Sequence, residues 1–204
     1  MTTETINGYG AAASINLRPI ERGQTIIPIV GTAPLIVHRF DEKAKEMMLL
    51  AQQTKTRTKK DAKNPVGDFE RSMYRFPDGG HGFPAVGFKA AMVDSARLFD
   101  GVKMTELRAA LHVVGEGLDQ LIRINGPEPR MREDTVRVGM GTADLRYRAE
   151  YTEWSADLVV NFIPSMISAE SVVAIVDAAG LGGIGEWRPS KAKTGIYGTF
   201  QVAL

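Results

Sequence analysis

The sequence predicts an α+β fold: an antiparallel sheet with helices on one face, made from two strand–helix–strand halves. Three observations carry this. Gln24–Phe40 is a β-branched strand followed by a long insertion, a helix and another strand. Arg130–Ile163 reads as antiparallel sheet. The last fifty residues run strand, helix, glycine-rich turn, strand, from Ser155 to Leu204. Two βαβ-type halves in this order make a ferredoxin-like domain.

Taken in order, residues 1–13 are small and polar with two glycines and form a flexible arm. In the first strand, Pro28 and Pro34 argue against a helix and push the strand toward an edge or a bulge. Asp41 caps a charged helix, Asp41–Gln53. Residues 54–82 form a basic insertion in which Lys55, Arg57, Lys59, Lys60 and Lys63 stand against one acid, Asp61. No apolar periodicity organises it, so it is expected to be exposed and mobile. Its charge density suits phosphate contact, with a solvated face as the ordinary alternative. Tyr74-Arg75-Phe76 closes it, either packing on the core or stacking on a base.

After the turn at Asp78–Gly82, Val86, Ala90, Val93 and Arg97 fall at helical spacing, with Gly101 as a stop. Lys89 lies near that helix start, where a cation opposes the dipole and an anionic ligand would offset it; a solvent-facing lysine is the plain alternative. Lys103–Ala110 fits a short helix, and Leu111–Ile124 fits one or two strands broken at Gly115-Glu116-Gly117. Arg132–Val138 and Asp144–Tyr151 flank Gly139–Thr142 as a β-hairpin. Alternation puts Leu145, Tyr147, Ala149 and Tyr151 on one face and Arg146, Arg148 and Glu150 on the other, taken as outward. With Arg130, Arg132 and Arg137 these make either a basic strip or, given Glu133, Asp134, Asp144 and Glu150 among them, a charge-balanced surface. Ser155–Ile163 is a buried strand ended by Pro164, Ser168 caps the next helix, and Gly180 stops it.

The closing stretch GLGGIGEWRPSKAKTGIYGTFQV, Gly180–Val202, places six glycines in nineteen residues, each costing roughly 0.5–1 kcal/mol in ordered structure. Such a path can bring main-chain N–H groups to an anion. Arg188, Lys191 and Lys193 beside Trp187 and Tyr197 suit a nucleic-acid backbone and its bases, against the bland reading of a loop before a last strand at Ile196–Leu204.

The chain of 204 residues reads as one domain. Its 25 basic and 24 acidic residues mean that any anion-binding surface comes from segregated charge. No cysteine is present, which removes thiolate chemistry and fits a reducing cytoplasm. No apolar run nears the ~20 residues a membrane span needs.

Three local patterns add a resemblance: TAPLIVHRF at 32–40, GFPAVGFKAAMVDSAR at 82–97 with Lys89 at the helix start, and GLGGIGEW with TGIYGTF near the C-terminus. In this order the chain resembles the RAMP superfamily of RNA-recognition-motif-like proteins. The likeness is to the backbone subunit that polymerises along guide RNA in CRISPR effector complexes, with a fainter likeness to phage-encoded sequences. The resemblance implies a thumb-like basic insertion and head-to-tail homo-oligomers or filaments on one strand of RNA or DNA, RNA being favoured. The implied contacts are Lys55, Arg57, Lys59, Lys60, Lys63, Lys89, Arg188, Lys191 and Lys193, to which the residues themselves add Arg146, Arg148 and Trp187. Glu186 and the WRPSKAK stretch depart from the simplest form of the family loop.

For catalysis, His38, His81 and His112 stand apart with no metal-ligand spacing, and hydrolase and nucleotide-triphosphatase signatures are absent. No cofactor is called for. The leading expectation is a non-catalytic protein coating single-stranded nucleic acid. The alternatives are a phage strand-annealing or recombination protein for single-stranded DNA, a metal-independent RNA endonuclease using His38 or His81, and a structural assembly protein.

Overall fold

The structure, a computed structural model, describes residues 17–40, 42–54, 63–138, 142–192 and 194–203. In chain order its elements are β1 (Gly23–Gly31), β2 (Leu35–Val37), α1 (Glu42–Thr54), α2 (Pro65–Arg71), β3 (Tyr74–Arg75), β4 (His81–Pro84), α3 (Ala85–Ser95) and α4 (Met104–Ala110). Then follow β5 (Leu111–Val114), β6 (Leu121–Arg123), β7 (Arg130–Val138), β8 (Thr142–Tyr151), β9 (Ser155–Phe162), α5 (Ala169–Gly182) and β10 (Phe200–Val202). The main sheet is antiparallel in the order β10-β1-β9-β5. With α3 and α5 as the crossovers, this is the ferredoxin-like βαββαβ arrangement.

Alternation builds it. Ile27 and Ile29 of β1, Leu111 and Val113 of β5, and Ala156, Leu158, Val160 and Phe162 of β9 all point inward, against Phe88 and Met92 of α3 and Val172, Ile175 and Val176 of α5. Burying each large apolar side chain is worth about 1.5–3 kcal/mol over leaving it exposed. The other sheet face presents Gln24, Ile26, Pro28, Val30, His112, Val114, Asp157, Val159 and Asn161. The ring among these is the His112 imidazole, and that face offers no Phe, Tyr or Trp for a base to stack on.

The expected first strand is two. At Gly31 an added Cβ would lie 2.2 Å from the indole nitrogen of Trp154, which donates to the Ala33 carbonyl at 2.9 Å. The N–H groups of Thr32 and Ala33 both reach the Thr199 carbonyl, so the chain turns out of the main sheet. β2 then pairs with β8, and β8 with β7, in a second sheet, while β3, β4 and β6 form a third.

The insertion is also more ordered than its composition implies from residue 63 onward. Asn64 accepts from the Gly67 N–H at 3.0 Å and Pro65 opens α2, two start signals in one dipeptide. Ser72 then ties the segment to β8, its hydroxyl accepting from the Ala149 N–H at 2.9 Å. Met73 is buried, and Phe76 is buried beneath the Arg123 guanidinium, 4.1 Å from the ring centre. Tyr74 meets Phe83 edge to face at 6.4 Å. Of the basic run, Lys55, Arg57, Lys59 and Lys60 lie outside the described residues, as do the arm at 1–13, Asp41 and Lys193.

Ser168 caps α5, accepting from the Ser171 N–H at 3.2 Å. The helix runs through Gly180 to Gly182, past the expected stop, because Gly180 is the contact point with β10. A Cβ there would sit 1.8 Å from the Phe200 carbonyl oxygen. The last strand is correspondingly short, since residues 195–199 are taken up by the glycine-rich turn.

Candidate nucleic-acid interface

The glycines of the closing segment serve packing. Gly183, at φ +68°, ends α5, and Gly185 and Gly198, at +78° and +67°, press against β2 and Ile184. The main-chain N–H groups of Gly183, Ile184, Glu186, Ser190, Lys191, Ala192, Gly195, Tyr197 and Gly198 are all bonded to protein carbonyls, Glu186 to Ile36 at 2.9 Å and Gly198 to Pro34 at 2.8 Å. Those donors are spent on holding the segment to β2 and to itself. At those positions anion contact falls to side chains.

Arg188 and Lys191 lie on that segment. The Arg188 guanidinium is fixed by the Gly185 carbonyl at 2.7 Å and the Ser190 hydroxyl at 3.1 Å. Lys191 is exposed, and its N–H bonds to the Arg188 carbonyl. Trp187 sits half-buried at φ +55°, its indole N–H sheltered and without a partner among the described residues.

Beneath this turn lies a cavity of about 150 Å³, lined by His38, Tyr74, Phe83, Gly87, Ala90, Ala91, Asp94, Ile184, Gly185, Glu186, Arg188 and Ser190. His38 stands at its β2 side. Burial pulls the His38 pKa down, the neighbouring charges of Arg148 and Arg146 pull it further, and Glu186 partly opposes them. Its Nδ1 is buried with no partner among the described residues, and its Nε2 lies 3.4 Å from Arg146. Lys89, by contrast, does not line this cavity. It lies two residues beyond Gly87, about 200° around a helix of 3.6 residues per turn.

The β7–β8 arginines are the main correction. Register sets Arg132 opposite Arg148 and Arg130 opposite Glu150. Asp134 bridges Arg132 at 2.8 Å and Arg148 at 3.1 Å, while Glu150 bridges Arg130 at 2.6 Å and Arg132 at 3.0 Å. Arg132 lies 4.7 Å beneath the Tyr197 ring, so the closing segment covers this face of β8. Arg148 is consequently 3% exposed and neutralised, and it is not a surface contact. Arg146 remains half-buried with no carboxylate partner among the described residues. Lys63 pairs with Asp144 at 2.6 Å and reaches the Leu145 carbonyl.

The remaining histidines have structural surroundings. His81 is held between the Tyr151 hydroxyl at 2.9 Å and Glu128 at 3.2 Å, and His112 is on the open sheet face. Among the described residues, no three His, Asp or Glu side chains are grouped to hold a metal, and no helix is long and apolar enough to cross a membrane.

No protein-family model and no curated protein matches the chain. Solved structures do. One is a chain of the type III-B Cmr-beta complex bound to cognate target RNA, with a TM-score of 0.50 and 8% identity over 90% of this protein. The protein spans 59% of that chain's length. Another is Cmr6 from Pyrococcus furiosus, with a TM-score of 0.44 and 10% identity, covering 91% of this protein and 100% of Cmr6. At 8% identity the likeness to the Cmr-beta chain is one of fold.

Proposed function

We propose that this protein is a RAMP-type subunit that binds single-stranded RNA along its backbone, with little sequence preference outside one position, and assembles with further subunits on that strand. The observation that carries this reading is a group of cationic side chains with no carboxylate partner among the described residues: Arg146 lies 3.4 Å from His38, His38 shares a cavity with Arg188, and the exposed Lys191 follows three residues on, while Lys63, paired with Asp144, borders Arg146 through Leu145. A track of this kind follows a flexible phosphate backbone, and with no Phe, Tyr or Trp on the open sheet face, stacking falls to the cavity rim and Trp187. The basic run Lys55, Arg57, Lys59 and Lys60 leads into Lys63 in sequence and would extend the track at one end; Lys193 would extend it at the other. Lys89, on another side of α3, would serve a neighbouring subunit or a separate turn of the strand. The fold shared with a chain of an RNA-bound complex agrees with this.

The test is purification with and without nuclease, recording the absorbance ratio and particle mass. Co-purifying RNA, with particles that shrink on ribonuclease treatment, is expected. Particles sensitive only to deoxyribonuclease, with annealing of complementary DNA, would replace the reading with the strand-annealing alternative. Nucleic-acid-free assemblies that ignore both nucleases would leave a structural assembly protein.

A further inference from the structure

The same cavity carries a more specific assignment, which rests on the RNA-binding reading. We infer that it is a pocket for a single extruded nucleobase, with guanine as the base it fits best. At about 150 Å³ it is far larger than the ~10–15 Å³ one water occupies and smaller than the roughly 300–1,000 Å³ of drug-sized sites. That is room for one planar ring system without its sugar and phosphate.

Its walls match. Tyr74 and Phe83 supply aromatic surface, held at 76° to one another so that a base lies flat on one ring and meets the edge of the other. On the α3 side, Gly87 lets the Phe83 ring pack directly on the helix, where a Cβ would lie 2.5 Å from it, and the exposed Ala90 stands at the edge of the lining. Phe83 is braced in turn by Phe88 at 5.7 Å, which makes the wall part of the core.

The polar groups discriminate between a base and a phosphate. Glu186 lines the cavity, and its side chain has no ion pair or hydrogen bond among the described residues. A free carboxylate repels a phosphate and accepts hydrogen bonds from base N–H groups. Guanine is the base that offers two adjacent donors, N1–H and the N2 amino group, to one carboxylate. Its O6 then faces a donor, and Arg188 and His38 line the same cavity. The acidic residue that stands out in a basic, glycine-rich segment thereby acquires a role: it reads one base while Arg188 and Lys191 hold the strand.

The experiment measures anisotropy of labelled ten-nucleotide oligouridine RNA carrying one central guanosine, adenosine or inosine, inosine lacking the N2 amino group. Wild type should prefer guanosine over adenosine by roughly 5- to 150-fold, the range expected for one bidentate pair, with inosine between. Glu186→Gln should abolish the preference, read as the ratio of guanosine to adenosine affinity so that any change common to all RNAs cancels. Ala90→Leu, at an exposed position of the lining, should lower the same ratio by filling the space. Binding of all-uridine RNA with no guanosine preference, or a preference unchanged in both variants, overturns the pocket and leaves the RNA-binding reading standing. No binding to any of these RNAs would remove that reading and the pocket with it.

Discussion

Removing the Asp134 carboxylate tests whether the β7–β8 arginines are structural. Arg148 and Asp134 are 3.1 Å apart with side chains 3% and 9% exposed. Asp134→Ala leaves the Arg148 guanidinium buried without a carboxylate, its Nε already lacking a partner. Arg132, the other partner, keeps Glu150 at 3.0 Å, so the loss centres on Arg148. Stranding one member of a buried pair costs about 3–5 kcal/mol, which for a chain of this length corresponds to a fall of about 6–20 °C in Tm. Urea unfolding followed by circular dichroism would measure it. The double variant Asp134→Leu/Arg148→Met should recover most of the loss, because apolar replacement of a buried pair is often neutral or better. RNA affinity of Arg148→Met should stay within about twofold of wild type once stability is matched, because a guanidinium buried against Asp134 makes no contact with the strand, and twofold is well under the ~1.4 kcal/mol that makes tenfold. The reasoning fails if Asp134→Ala costs less than about 1 kcal/mol, the ordinary value of an exposed pair. It fails equally if Arg148→Met weakens RNA binding without lowering stability.

Two further outcomes follow from the same geometry. Gly198→Ala should cost at least about 2 kcal/mol in thermal unfolding, since φ is +67° and the new Cβ would meet the Ile184 carbonyl at 1.9 Å; Gly79→Ala, at φ +88° in open space, should cost only about 1 kcal/mol. Stability should also fall in mild acid through His38. Its pKa is lower folded than unfolded, so below the unfolded value near 6.5 the unfolded chain takes up the proton more readily; the contribution is complete above that pH and is lost as pH falls from it through the lower folded value. His38→Gln should flatten this part of the profile between pH 7 and 5, and an unchanged profile would place the acid sensitivity elsewhere.

The parts that could be read in sequence are those whose cause is local. Ser168 as a cap, the alternation of β9 and the pairing of β7 with β8 follow from neighbours along the chain, and the ferredoxin-like order follows from them. What misled was burial imposed from a distance. Alternation correctly separated Arg148 from Ala149, but both faces of β8 are covered toward its end, one by the core that buries Ala149 and Tyr151, the other by the closing segment through Tyr197. The break at Gly31–Pro34 depends on Trp154 and Thr199, more than 120 residues away. The glycines announced a demanding backbone, yet whether they cradle an anion or press α5 and β2 together depends on contacts with Phe200, Ile36 and Ile184. Asn64-Pro65 was a legible helix start hidden by the charge run before it. Glu186 was visible as an oddity, and its place opposite Tyr74 and Phe83 required the fold.

Affinity for single-stranded RNA across a salt series, in wild type and in Lys191→Glu, tests the central account most directly. Phosphates neutralised by Arg146, Arg188 and Lys191 predict a slope of log K against log salt of about −2, or steeper if the basic run joins, at about −0.7 per phosphate. Lys191→Glu should flatten it by about 0.7 and weaken binding at every salt concentration. A flat response in wild type, or a variant with unaltered slope and affinity, would contradict a phosphate track through this segment.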